Sequence, residues 1–303
     1  MKRYYPFNDY LKKKFGCKVY KVSVDAGFTC PNRDGTVASG GCIYCDDAGS
    51  RASYCDRGLS VREQILKGIE LVRNRYGARK FIAYFQAFTN TYAPAAKLKS
   101  IYDQAFVSDD VVGIAIGTRP DCVGEEVLDV IEQYALKRDV WIELGVQTVH
   151  DRTLAAINRG HTAGDSLSAI RAIKRRAGLK VCAHIIVGLP GEGAAETIET
   201  ARELSDSGID GVKVHCLHVL KGTIAEKMFA EGKLALLARE EYVRRACDVL
   251  ENIRAGITVQ RLTGEAPAER LVAPLWVNGK QRILKMIDVE LERRDSFQGK
   301  LTR

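Results

Sequence analysis

Cys30-Pro-Asn-Arg-Asp-Gly-Thr-Val-Ala-Ser-Gly-Gly-Cys42-Ile-Tyr-Cys45 is the stretch on which the fold of this chain turns. It puts three cysteines in one loop, just after the β-rich run Val19 to Val24. Three thiolates can hold three irons of a cubane iron–sulfur cluster, leaving a fourth iron open to something that reacts. A zinc site would need a fourth ligand; Cys55 is the nearest candidate, and neither a second Cys-x-x-Cys nor a His-x-x-x-His occurs. The chain has nine cysteines, an odd number that suits thiols kept reduced for ligation or burial better than a disulfide framework.

Outward from this loop the chain alternates. Five more β-rich runs follow: Lys80 to Phe85, Val111 to Gly117, Val140 to Gln147, Lys180 to Val187 and Gly211 to Leu217. Helical patterns separate them. Ser60-Val-Arg-Glu63 is a capping box ahead of Ile65, Ile69 and Val72 at helical spacing. Similar stretches cover Ala95 to Phe106, Glu125 to Leu136, Arg152 to Ile157, Asp165 to Arg176 and Ala195 to Ser207. Strands each separated by a helix imply parallel pairing, hence an α/β barrel, open or closed, with its chemistry at the C-terminal strand ends. The cysteine loop lands at that end. The barrel is expected to span residues 1–220, with the cluster loop at 30–45. Residues 221–303 form a mainly helical extension packed on it, with one extra strand at Gly256 to Leu262, all in a single structural unit.

A chain of 303 residues with 46% hydrophobic content can bury one substantial core. Its first ten residues hold no apolar signal core, and no run of about 18 apolar residues occurs later, so a soluble cytoplasmic protein without a membrane partner is expected. The net charge of +8 is uneven. Residues 2–21 carry seven Lys/Arg against Asp9, and residues 280–303 carry seven against four acids. Basic ends can neutralise the phosphates of a polyanion such as RNA, or they can be solvated faces and tails.

The loop with its aromatic before the last cysteine, the six βα units, and the strings Glu143-Leu-Gly-Val-Gln147, Asn158-Arg-Gly-His161 and His184-Ile-Ile-Val-Gly-Leu-Pro-Gly191 together resemble radical SAM enzymes. The likeness is closest to the YhcC/YtqA-type family, related to the Elongator catalytic subunit and to oxygen-independent coproporphyrinogen oxidase. It runs from about Tyr4 to Gly299, including Gln260-Arg-Leu-Thr-Gly264 and Leu271-Val-Ala-Pro-Leu-Trp276. It implies a partial (β/α)6 TIM-like barrel and two cofactors, a [4Fe-4S] cluster on Cys30, Cys42 and Cys45 and S-adenosylmethionine on the open iron. Reductive cleavage of S-adenosylmethionine would give a 5′-deoxyadenosyl radical, with a flavodoxin or ferredoxin as the reductant. Two departures stand out. The eleven residues between Cys30 and Cys42 exceed the usual three, and Gln86-Ala-Phe-Thr89 replaces the usual Gly-Gly-Glu after the second strand.

By the same resemblance Tyr44 packs near the adenine, Gln147 faces the ribose, and Arg159 meets the methionine carboxylate, which a guanidinium can bind bidentately. His184 stands where relatives direct an aspartate at the ribose; Thr118 and Gln86 end the third and second strands. On residue type alone, Tyr44 reads equally as a loop aromatic, Arg159 as a surface ion pair, and His184 as a satisfied core histidine. Gly188-Leu-Pro-Gly191 reads as a ligand-hugging turn or a simple one. Lys213 and His215 share one strand face, toward the barrel mouth or toward the helices. Cys17, Cys122, Cys182, Cys216 and Cys247 read as buried or incidental, and Cys55 as either that or a resolving thiol.

The kinship implies a tRNA-modifying enzyme, and tRNA as the partner. The implied reaction removes the carboxymethyl portion of the C5 side chain of the wobble nucleoside 5-carboxymethylaminomethyl-2-thiouridine. A flipped base would reach the buried radical. Two other readings stand beside it: a radical SAM enzyme acting on a small or porphyrin-like molecule, and a cluster-bearing sensor that does not turn over.

Overall fold

All six anticipated runs are strands, and a seventh joins them. The computed structural model describes residues 2–47, 55 and 58–302. Strands β1 (Val19–Val24), β2 (Lys80–Phe85), β3 (Val111–Thr118), β4 (Asp139–Gln147), β5 (Leu179–Val187) and β6 (Gly211–Cys216) pair in parallel in chain order. A two-residue strand, β7 (Val219–Leu220), follows, and then β8 (Thr258–Arg261) adds to the outer edge of β6. The result is one curled sheet of seven parallel strands, a half-barrel. The extra strand anticipated at Gly256 to Leu262 therefore extends the barrel sheet, with Gly211 opposite Thr258. A small antiparallel pair of β7 with β9 (Leu271–Ala273) was not legible in the sequence, because segments of two and three residues carry no period.

The central strands are buried on both faces, which is why they read as continuous apolar runs. Their outer faces pack against α2 (Val61–Tyr76), α3 (Ala95–Asp103), α4 (Glu125–Ala135), α6 (Ala163–Lys174) and α7 (Ala194–Asp206), whereas Leu154 of the short α5 (Asp151–Ala156) clusters with Ile43 of the cysteine loop. The anticipated capping box is present: Ser60 Oγ accepts from Glu63 N, and Ser60 N donates to the Glu63 carboxylate. Ile65, Leu98, Leu128 and Ile170 are fully buried between helices and sheet, each contributing about 1.5–3 kcal/mol of transfer free energy. After β7 the chain continues through α8 (Ile224–Ala230), α9 (Arg239–Glu251) and α10 (Lys280–Arg293); α9 packs on α7, and α10 on α9.

One helix was missed. Residues Phe7–Phe15, labelled α1 in chain order, bury only Phe7 and Leu11, too sparse an apolar stripe to read as a period. It lies under the N-terminal strand ends, against both β1 and β8. Phe7 and Tyr10 stand edge-on to Trp141, with ring centroids 5.2 and 5.5 Å away, and Tyr10 donates to Asp139 at the start of β4. Val259 N of β8 donates to Tyr5 O at 2.8 Å, so the segment entering α1 bridges the open seam between the outer strands. The barrel has an aromatic floor.

This placement settles the basic ends. Lys14 pairs with Asp139 beneath the floor, Lys2 with Asp288, Arg3 with Asp295, and Arg293 and Arg294 with Glu290. Lys21 points into the barrel, onto Glu143. With Lys280 on Glu265, seven of the fourteen cations counted at the two ends are in ion pairs among the described residues. Lys12, Lys13 and Lys14 lie the length of β4, roughly 25 Å, from the opposite end of the barrel. Arg303, counted in the basic C-terminal stretch, lies outside the described residues. No helix among the described residues is long and apolar enough to cross a membrane.

Candidate functional site

At the C-terminal strand ends the inward face becomes a cleft of about 180 Å³. Cys30, Cys42 and Cys45 line it, and so do all six residues singled out beside them: Tyr44, Gln86, Thr118, Gln147, Arg159 and His184. They come from six separated parts of the chain, and the curl of the sheet unites them. Among the described residues no three His, Cys, Asp or Glu side chains converge as ligands of one metal ion would. Three thiols around one cleft, without a fourth ligand, suit the corners of a cubane better than a tetrahedral zinc ion. Cys55 does not line the cleft; its thiol donates to Ser23 O at 3.2 Å.

The cysteine loop is held by the Asn158-Arg159-Gly160-His161 string. Asn158 has φ +52 and Gly160 φ +73, and a Cβ on Gly160 would fall 2.3 Å from Asn32 Oδ1. This close approach requires glycine. Asn158 Nδ2 donates to Gly41 O at 2.7 Å, and Ile43 N to Ile157 O at 3.1 Å. Arg159 is only 6% exposed, so the sequence alternative of a surface ion pair fails. Its Nη2 and Nε donate to Gly145 O at 2.6 and 3.2 Å, and its Nη1 reaches Cys42 Sγ at 3.5 Å. A Cβ on Gly145 would fall 2.6 Å from Arg159 Nη2, so glycine here leaves the guanidinium its place. Among the described residues no carboxylate pairs with this guanidinium. A hydrogen bond from Cys45 and the Arg159 charge hold the Cys42 thiol well below its ordinary range. A buried cation against an acidified thiol is a place built for an anion.

Three elements of the site escaped sequence reading. Arg119, 2% exposed, grips Asp121 through Nε and Nη2 at 2.9 and 2.6 Å and donates from Nη1 to Arg159 O at 2.8 Å, fixing the backbone that presents Arg159. Asn32 Nδ2 donates to Asn158 O from the loop side. In the wall of the same cleft lies a buried ion cluster centred on Glu143, which accepts from Lys21 of β1, Lys213 of β6 and His184 Nε2, the last at 3.0 Å. Lys213 therefore faces the barrel interior, not the helices, and also donates to Tyr84 OH at 3.0 Å. One carboxylate serves two lysines. Lys213 is the more buried, and desolvation lowers its pKa to about 7, while the lysine charges hold the Glu143 carboxyl well below its usual range. Burial pushes His184 down to about 4. The Glu143 string is visible in sequence, but the lysines that meet it lie more than 60 residues away and carry no local signal.

The glycine turn at 188–191 lies outside the walls of the cleft; Gly188, at φ +90, packs on Leu237, which fits the simple turn. Cys182, Cys216 and Cys247 are buried away from the loop, as read.

A family model of the radical SAM superfamily matches residues 32–204, more than half of the chain, and the radical SAM C-terminal domain matches residues 209–293. The chain belongs to the radical SAM superfamily. Protein YtqA of Bacillus subtilis is 43% identical over 99% of this chain and 92% of its own length. The tRNA uridine(34) acetyltransferase of Methanocaldococcus jannaschii is 29% identical over 53% of this chain and 30% of its own. The solved structure of archaeal Methanocaldococcus infernus Elp3 superposes with a TM-score of 0.70 at 19% identity, covering 92% of this chain and 64% of that one. This radical SAM protein is an enzyme whose cofactors are a [4Fe-4S] cluster and S-adenosylmethionine.

Proposed function

We propose that Cys30, Cys42 and Cys45 hold the cluster as thiolates, and that Tyr44, Gln86, Thr118, Gln147, Arg159 and His184 wall the S-adenosylmethionine site. The substrate we assign is a tRNA wobble uridine modified at its C5 side chain, as in shortening carboxymethylaminomethyl to aminomethyl. The observation that carries the site is the buried Arg159 guanidinium, which has a thiol but no carboxylate beside it. A buried charge of this kind demands an anion, and both cofactors bring one. When bound, they supply a carbon radical able to abstract hydrogen. The residues of the chain do the rest. Arg159 orients a carboxylate bidentately, and Arg119 and Gly145 keep it aimed. Gln147, held at φ +74 at the end of β4, offers its amide to hydroxyls. The aromatic floor and the Glu143 cluster close the barrel and keep water from the radical. A one-electron donor of the flavodoxin or ferredoxin class completes the system.

Similarity to a tRNA uridine(34) acetyltransferase supports the tRNA substrate. Nucleoside mass spectrometry of tRNA from cells with and without the gene tests it: loss should accumulate the carboxymethylaminomethyl form at the expense of the aminomethyl form. An identical nucleoside profile would end the tRNA reading and leave the small-molecule one.

A further inference from the structure

A second cleft opens beside the first and shares Tyr44, Cys45, Gln147 and His184 with it. Its remaining walls come from the ends of β5 and β6 and the segment just beyond, and include Ile186, Leu217 and Leu220. Three of the five histidines in the chain, His184, His215 and His218, face it. Among the described residues no lysine or arginine lines it, and the one acid that does, Asp46, is paired with Arg270 at 2.9 Å.

The hydrogen bonds of two histidines fix their tautomers. His218 Nδ1 lies 3.0 Å from Cys216 O, and a carbonyl only accepts, so Nδ1 carries the proton and Nε2 a lone pair. His184 Nε2 lies 3.0 Å from the Glu143 carboxylate, which leaves the lone pair on Nδ1. His215 Nε2 is buried without a hydrogen-bond partner. Burial lowers the pKa of all three, so they are neutral near pH 7 and those lone pairs are available. The wall thus accepts hydrogen bonds and provides no cation.

We infer that this cleft holds the amine of the substrate's side arm, which donates to His218 Nε2 and His184 Nδ1. This rests on the assignment of the neighbouring cleft to the cofactors, and it deepens the proposed function by naming the group that sits beside them.

The test uses anaerobically reconstituted protein saturated with S-adenosylmethionine and two matched probes, 5-aminomethyluridine and 5-carboxymethyluridine. Calorimetric titration should show the amine binding roughly tenfold tighter or more, the scale of one charge-assisted hydrogen bond, with ¹³C-histidine signals of His184 and His218 moving on binding. His218→Phe keeps a ring and removes the lone pair, and His218→Gln is the milder alternative; in either, the preference should shrink to about threefold or less. Equal affinity, or tighter binding of the carboxylate, in parent protein that carries its cluster and binds S-adenosylmethionine would overturn this inference alone. A parent that takes up no cluster would overturn it together with the cofactor assignment.

Discussion

Gly145→Ala separates the geometry of Arg159 from the folding of the barrel. The added Cβ would fall 2.6 Å from Arg159 Nη2 and 2.9 Å from Gln147 Nε2. Both are far ends of flexible side chains, so the backbone need not move. The guanidinium must retreat by roughly 0.9 Å to reach an unstrained contact near 3.5 Å. That shift is enough to break a bidentate fit, because donor–acceptor distances beyond about 3.2 Å lose most of a hydrogen bond. Losing one charge-assisted bond to the S-adenosylmethionine carboxylate costs about 1.5–3 kcal/mol, or roughly 10- to 150-fold in affinity. Isothermal titration of anaerobic, reconstituted Gly145→Ala should show that loss with about four irons retained and the melting temperature nearly unchanged. Parental affinity in a variant with intact iron would refute the placement of Arg159 on the carboxylate.

Cys42→Ala should abolish the brown charge-transfer absorption of the reconstituted protein, whereas Cys122→Ala and Cys247→Ala should keep it; iron and sulfide assays decide. Glu143→Gln breaks a buried pair and should cost about 3–5 kcal/mol in urea unfolding. Lys213 has its pKa lowered to about 7 in the folded state, so between there and its ordinary value of 10.5 the unfolded chain binds more protons. Stability should therefore rise with pH across that window in the parent and lose the rise in Lys213→Met, as chemical denaturation at several pH values would show. Lys12→Gln with Lys13→Gln, under the floor, should change tRNA affinity by less than about threefold at fixed salt, since phosphate contacts there lie far from the cleft.

Most strands were legible because parallel strands covered on both faces become unbroken apolar runs, and boundaries moved by one residue at most. The cysteine loop and the Asn158 string were legible because each packs its chemistry into a few consecutive positions. What escaped was whatever only the curl of the sheet assembles. Alternation put Lys213 and His215 on one face but could not say which, and nothing near Lys21 announces a glutamate three strands away. Arg119 follows a strand and precedes a proline, a context shared with ordinary turns, and its role depends on a backbone oxygen 40 residues later. The charge of the basic ends was legible, but its use was not, since the acids that absorb it arrive from remote segments.

The bridge across the seam imposes an order on assembly. Tyr5 meets Val259, its backbone N–H donates to Gln298, and Gln298 N donates to Arg3 O, so the earliest part of the chain is fastened by the latest. A ribosome must deliver the chain as far as Gln298 before these contacts exist, and closing so long a loop is entropically costly and slow. Until then α1 is held by its packing on β1 and by Tyr10 on Asp139, and the floor is unfastened at the seam. Cluster loading before that last stitch would expose a fragile cofactor to solvent from beneath; loading after it confines entry to the mouth.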